Sequence, residues 1–305
     1  MKYKVLIIGY GSIGRRHAEI LSTMPQVQTL RVVSSQKDLP FTTYQDIEQS
    51  LSYDPDYIVI ANSTALHYQT LNKLEELFSE KRILVEKPIF EKHYPVKFIK
   101  NKIWVGYNLR FNPIIQMIKK EVSNRKIWAV QSTCVSFLPG WRNNIDYKDS
   151  SSAFKKSGGG VLLDLSHELD YLCWLFGEIT IEHASLGRLS NLKIETEDYV
   201  MLQGCTLHQT KVHVYLNYFS KISSRELIID GEGISIKADL LNLKAEINRD
   251  DQAISIDLSS NTKNRTYELL HEEVLTSTSN FACHYLDGIN LMKVIDQARG
   301  KCQSI

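Results

Sequence analysis

No stretch of this sequence approaches the ~20 consecutive apolar residues that a membrane-spanning helix needs. The longest apolar runs, "KVLIIGYG" and "DYIVIA", have the length of strands. An excess of one charge is missing too: 36 Lys and Arg stand against 35 Asp and Glu, for a formal net charge of +1. That balance argues against nucleic acid or an anionic membrane surface as a partner. Cysteines are few. The five (Cys134, Cys173, Cys205, Cys283 and Cys302) are scattered and form no C-x-x-C pair. Free thiols in a reducing cytoplasm are the expectation, and a metal centre is not. The opening "MKYKVLIIGYGSIG" has no leader character, because it runs from a strand straight into a Gly-rich turn. Internal repeats and low-complexity tracts are absent.

What is present suffices for a sizeable core: 305 residues, 43% of them hydrophobic. In the first third, short β-branched runs alternate with helical patterns. "YKVLIIG", "VQTLRVVSS", "PDYIVIAN", "RILVEKP" and "KIWVGYN" read as strands. "IGRRHAEILSTM", "YQDIEQSLSY" and "ALHYQTLNKLEELFSE" read as helices. Such alternation predicts a parallel sheet covered on both faces. After Asn108 the rhythm changes. "NPIIQMIKKEV" reads as helix and "KIWAVQSTCVSF" as a long strand. "PGWRNNIDYKDSSSAFKKSGGG" reads as a mobile functional loop, too polar for core. "SGGGVLLDLSHELDYLCWLFG" reads as one helix, the period-two runs after it as a sheet packed on one face, and "FACHYLDGINLMKVIDQARG" as a closing helix. The expected organisation is a Rossmann NAD(P)-binding domain over 1–110 and an α/β domain with an open, mostly antiparallel sheet over 111–305.

Gly9, Gly11 and Gly14 stand in G-x-G-x-x-G spacing between the first strand and the first helix. There the first glycine permits the tight turn, the second lets the backbone approach a pyrophosphate, and the third lets helix and strand pack closely. Ser12 and Ile13 lie on the same turn. An acidic residue ~20 positions on would bind the ribose 2′-hydroxyl of NAD. Ser34, Ser35, Gln36 and Lys37 occupy that region, with Arg15 opening the helix. Small hydroxyls followed by a lysine suit a 2′-phosphate, so NAD(P) is expected, leaning to NADP.

"IIGYGSIGRRH", "ANSTALHYQT", "VEKPIF", "VGYNLRFNP" and "GGGVLLDLSHELD" occur in this order. Together they resemble the Gfo/Idh/MocA oxidoreductases, the family of glucose–fructose oxidoreductase and inositol dehydrogenase. The resemblance covers most of the chain and is clearest through Gly177. It implies NAD(P)-dependent hydride transfer on a sugar, cyclitol or nucleotide-sugar, with a place in surface polysaccharide or amino-sugar biosynthesis. It also implies a homodimer or homotetramer formed through the second sheet. By the same resemblance, Asn62, Ser63 and Thr64 line the cofactor with His67 behind them, and Glu86, Lys87 and Pro88 match E-K-P, whose lysine lies near nicotinamide and substrate. Asn108 and Arg110 match the stretch entering the second domain. Asp164 and His167 match the Asp–His pair, with the histidine as acid/base. Here only Leu165 and Ser166 separate the two, whereas many members have three residues between them; either spacing would put both on one face of a helix.

The chemistry requires a group that titrates near neutrality and a donor that stabilises developing alkoxide charge. His167 suits the first role and Lys87 the second. Asp164 orients the imidazole or binds a substrate hydroxyl, and Asp170 lies on a similar face. The helix is expected to bury its Leu and Trp face and present its polar edge. Arg110, Trp141, Arg142, Asn143 and Tyr147 offer aromatic and cationic groups for an anionic sugar, and Asn108 is expected among the substrate contacts. Two other readings remain open: a hydrolase or lyase using bound NAD for transient oxidation, and a non-catalytic dinucleotide sensor.

Overall fold

The computed structural model describes residues 2–142, 146–250, 252–260, 264–278 and 280–302. In chain order the elements are β1 (Tyr3–Ile8), α1 (Ser12–Thr23), β2 (Val27–Val33), β3 (Thr42–Tyr44), β4 (Tyr57–Ile60), α2 (His67–Leu77), β5 (Arg82–Val85), β6 (Lys102–Val105), α3 (Pro113–Val122) and β7 (Ile127–Phe137). These are followed by α4 (Val161–Asp164), α5 (His167–Phe176), β8 (Ile179–Gly187), β9 (Tyr199–Thr206), β10 (Lys211–Asn217), β11 (Phe219–Gly231), β12 (Ile234–Asp239), β13 (Lys244–Arg249), β14 (Gln252–Asp257), α6 (Arg265–Thr276), β15 (Cys283–His284) and α7 (Tyr285–Gly300). No helix among the described residues is long and apolar enough to cross a membrane.

The chain forms two compact units: Met1–Phe111 with Thr262–Ile289, and Asn112–Asn261 with Asn290–Ile305. The first is a Rossmann-type unit. Its sheet runs β15-β6-β5-β4-β1-β2-β3, parallel except for the antiparallel pair of β15 with β6. β4 is buried along its whole length, as a parallel strand covered on both faces must be. Val5, Ile7, Val59 and Leu84 pack with Leu21 of α1 and with Leu270, Val274 and Leu275 of α6. The second unit carries the sheet β14-β13-β12-β11-β7-β10-β9-β8, antiparallel except for the parallel pair β7–β10. β9 alternates buried Val200 and Leu202 with exposed Met201 and Gln203, the pattern of a sheet with one packed face.

The fold departs from the expected domain bounds, because residues 262–289 return to the first unit instead of staying in a second domain over 111–305, and from the expected elements at five places. "YQDIEQSLSY" forms only a 3-10 turn over Glu48–Tyr53, stopped by Asp54 in left-handed geometry (φ 47°) and by Pro55, which cannot continue a helix. The segment after Gly160 is two helices, α4 and α5, with Leu165 (φ −100°, ψ 27°) at the break. Asp164 and His167 therefore do not share one helical face. The polar stretch before it is not simply a surface loop in its described part: Ser152 and Ala153 are buried, and the Ser152 carbonyl accepts the Thr196 hydroxyl. α6 was not anticipated at all. "FACH" ends in the short strand β15, and helix starts only after it.

Candidate functional site

The glycine loop is built for close approach. Gly9 has φ +94°, and a Cβ there would stand 2.6 Å from the Asn62 backbone nitrogen. The turn after β1 and the turn after β4 thus lie against each other. A Cβ on Gly14 would stand 2.1 Å from the Gly9 carbonyl oxygen, so α1 packs directly on the turn. Gly11 caps α1 without a side chain, and a Cβ there would meet nothing within 4 Å. The first turn of α1 contains no acidic residue. Its N–H groups and dipole are therefore presented on an open side, next to exposed Ser12, with the space and polarity that a pyrophosphate needs.

The turn after β2 is tied to this loop. The Gln36 side-chain amide donates to the Tyr10 carbonyl (2.9 Å), and the Ser34 hydroxyl accepts from the Gln36 N–H (3.1 Å). Ser35 and Lys37 are exposed, while the Arg15 guanidinium lies 5.8 Å from the Tyr10 ring centroid.

Lys87 follows β5 at the carboxyl end of the parallel sheet, joined to Pro88 by a cis peptide bond, and is half-buried. Two buried side chains brace its turn. His67 opens α2 with Nδ1 3.0 Å from the Pro88 carbonyl and Nε2 3.2 Å from the Asn62 carbonyl. Burial holds its imidazole below the usual histidine range. Glu86 accepts the Lys87 N–H through Oε2 (3.2 Å), and its Oε1 lies 2.8 Å from His17 Nε2. Asn62 is fixed in turn by its side-chain amide, which donates to Thr70. Ser63 and Thr64 are half-buried at the start of a 3-10 turn. Asn108 donates to the Thr266 hydroxyl, and buried Arg110 is paired with Asp287 at 3.0 Å.

In the second unit the Tyr218 hydroxyl donates to Asp164 Oδ2 at 2.5 Å. Trp141 stands edge-on to the Tyr218 ring (5.3 Å, 90°), and its indole N–H donates to Ser136. His167 is buried at the first turn of α5. The expected face of that helix is corrected. Glu168 and Asp170 are as buried as Leu169 and Leu172, whereas Trp174 is half-buried under Lys119. Arg225 of β11 makes this burial possible by pairing with Glu168 at 2.8 Å. Arg142 is half-buried, Tyr147 accepts the Lys193 N–H, and Asn143 lies outside the described residues. All five cysteines are free thiols, and burial pushes that of Cys134 up to about 12, which makes it unreactive. Among the described residues no group of three or more His, Cys, Asp or Glu is placed to hold a metal.

Residues 3–97 match the profile of an oxidoreductase family with an NAD-binding Rossmann fold, and residues 115–237 match the GFO/IDH/MocA C-terminal domain. The chain belongs to the Gfo/Idh/MocA oxidoreductase family. Among curated relatives, the uncharacterized oxidoreductase YrbE of Bacillus subtilis is 28% identical over 205 residues, covering 61% of this chain and 57% of that protein. The match thus spans little more than half of the relative's length. Among solved structures, levoglucosan dehydrogenase in complex with NADH and levoglucosan superposes with TM-score 0.81 at 16% identity, covering 99% of this chain and 97% of that one. The WlbA dehydrogenase from Bordetella pertussis, in complex with NADH and UDP-GlcNAcA, gives 0.78 at 14% identity, covering 99% and 96%. At these identities the superpositions establish a shared fold.

Sequence reasoning missed His17, Tyr57 and His271, which meet around Glu86, and Tyr218 and Glu197, which surround Asp164. His17 stood inside the quoted glycine motif without a role. The others carry no local signal, because their partners lie far away in the chain.

Proposed function

We propose that this protein is a nicotinamide-dinucleotide-dependent dehydrogenase or reductase acting on a hydroxyl-bearing carbon of a sugar, cyclitol or nucleotide-sugar. The observation that carries this reading is the uncapped, open N-terminus of α1 in the same unit as the braced Lys87 turn. Family membership and the sugar ligands of the two superposed dehydrogenases support it. Gly9, Gly11, Ser12, Ile13 and Gly14 hold the pyrophosphate. Asn62, Ser63, Thr64, His67 and Glu86 shape the nicotinamide end with Lys87. Ser34, Ser35 and Lys37, with Arg15 nearby, favour a 2′-phosphate over a free hydroxyl, because no carboxylate stands among residues 34–37. When bound, the dinucleotide supplies the hydride acceptor or donor.

The chain's own residues do the rest. The Lys87 ammonium stabilises negative charge on the reacting oxygen. His167 takes or returns the hydroxyl proton. Asp164, its carboxylate fixed by Tyr218, receives a substrate hydroxyl. Trp141 offers a ring surface and Arg142 a charge for an anionic sugar. Arg110 and Asn108 brace the stretch before α3. The second sheet's outer face joins copies into a homodimer or homotetramer; a monomer by light scattering at micromolar concentration would remove that part of the reading.

The test is thermal-shift titration with NAD, NADH, NADP and NADPH, each alone and with UDP-, GDP- and CMP-sugars and polyols. Ligands that bind only the folded state raise Tm by mass action. A larger shift with the 2′-phosphorylated forms, increased again by one sugar and followed by net change at the nicotinamide absorbance band, is the expected outcome. Turnover of that sugar with no net change in nicotinamide would replace the reading by transient oxidation. No shift, and no nicotinamide released on denaturation, would sink it.

A further inference from the structure

Behind the Lys87 turn lies a line of buried polar groups. Tyr57 on β4, His271 on α6 and His17 on α1 are each 0% exposed, and Glu86 is 6% exposed. The Tyr57 hydroxyl is 2.8 Å from His271 Nδ1, His271 Nε2 is 2.9 Å from His17 Nδ1, and His17 Nε2 is 2.8 Å from Glu86 Oε1. The other carboxylate oxygen accepts the Lys87 N–H. One proton order satisfies every atom. Tyr57 donates to His271, His271 donates through Nε2–H to His17, and His17 donates through Nε2–H to the carboxylate. The reverse order would put the proton on Glu86 and leave the Tyr57 hydroxyl hydrogen without an acceptor among the described residues. Burial holds the Tyr57 phenol well above its ordinary range and His271 well below its own, which keeps both groups neutral in either order. Space is reserved as well: a Cβ on Gly106 would stand 2.7 Å from Glu86 Oε1.

A buried carboxylate next to two imidazoles is costly unless each polar atom is paired. Apolar residues of similar volume would pack α1, β4 and α6 together at less risk. The line ends at the one backbone N–H that precedes Pro88.

We propose that Tyr57, His271 and His17 are positioning residues that lock the Glu86 carboxylate and, through the Lys87 N–H, fix the backbone from which the Lys87 side chain reaches the reacting oxygen. The role assigned to Lys87 rests on the reading above; the relay itself does not. His17 lies on α1, so the relay runs from the helix of the glycine loop to the lysine turn.

The experiment reads the relay directly and activity separately. Pro88 has no N–H, so amide exchange across 86–88 reports Glu86, bonded to the Ile60 carbonyl, and Lys87, bonded to the Glu86 side chain. In His17→Leu and His271→Phe, resolved by NMR on the whole protein, the Lys87 amide is expected to exchange at least about tenfold faster while Glu86 and Gly106 keep their protection. His17→Gln, which retains a donor toward Glu86, is expected to restore most of it. Gly106→Ala presses on the carboxylate without touching a histidine and is expected to act like the histidine variants; it serves if those fail to fold. With a turnover substrate in hand, kcat is expected to fall by about 10- to 100-fold with dinucleotide Kd unchanged. Equal acceleration at Glu86, Lys87 and Gly106 in step with lost stability would reduce the relay to core packing and overturn the proposal. Normal Lys87 exchange in every variant would overturn it too. Selective exchange at Lys87 in a protein that turns over no sugar would uphold the relay and refute the reading of Lys87.

Discussion

Gly11 and Gly14 stand three residues apart under opposite constraints. At Gly14 an added methyl meets the Gly9 carbonyl at 2.1 Å, and backbone must move. At Gly11 the same methyl meets open space, and φ is −72°, which any residue adopts. Gly14→Ala is therefore expected to cost about 1–3 kcal/mol by overpacking, seen as a lower urea midpoint and weaker dinucleotide binding together. Gly11→Ala is expected to leave the midpoint nearly unchanged and to weaken dinucleotide binding alone. Unchanged dinucleotide binding in Gly11→Ala would mean that the open side of Gly11 has no ligand role. These glycines were legible in sequence because their partners lie within one turn, so spacing encodes the geometry. His17 was not, because its partners Glu86 and His271 lie 69 and 254 positions away. A buried histidine and an exposed one look alike when the residue that satisfies it is so distant.

At the scale of elements, the run from Gly160 shows where periodicity misleads. Its apolar pattern is continuous, so sequence alone predicts one helix, with Asp164 and His167 on one face. The break at Leu165 is set by what each half must reach. α4 is only four residues long and is held by Glu197, whose Oε1 accepts the Leu162 N–H at 3.2 Å while its carbonyl accepts that of Val161. Glu197 gets so close only because Gly160 (φ +121°) has no Cβ, which would lie 2.3 Å from Oε1. Burial raises the Glu197 carboxyl above its ordinary 4.5, and the neighbouring Asp164 adds to this. Between that value and the raised one, the folded state holds a proton that the unfolded state has released. This contribution to stability is complete below pH 4.5 and is lost as pH rises through the folded value. Glu197→Gln keeps an acceptor for Leu162 and removes the titration. Urea midpoints taken upward from pH 4.5 are expected to fall less steeply in the variant than in the wild type. Parallel pH profiles would show that Glu197 does not titrate there.

At the scale of the molecule, the chain leaves its first unit at Phe111 and returns to it over residues 262–289. No composition shift marks the return. "RTYELLHEEVLT" follows a run of strands, and it delivers Leu270, Val274 and Leu275 to the first core. It also delivers His271 to the relay, and Glu273, whose Oε1 accepts the N–H groups of Asn280, Phe281 and Ala282. β15 then extends the parallel sheet by pairing with β6. A boundary at 110 accounts for the glycine loop and the lysine turn but omits the helix that seals them. A fragment of residues 1–111 would leave the surfaces under α6 and the edge of β6 uncovered. It is expected to unfold without a cooperative urea transition and to bind no dinucleotide. The same fragment joined through a flexible Gly/Ser linker to residues 262–289 is expected to regain both. A cooperative transition in residues 1–111 alone would show that the returning segment is an addition to a unit already complete. Recovery only with the linked segment would make it part of the fold's minimum, with His271 as its chemical contribution.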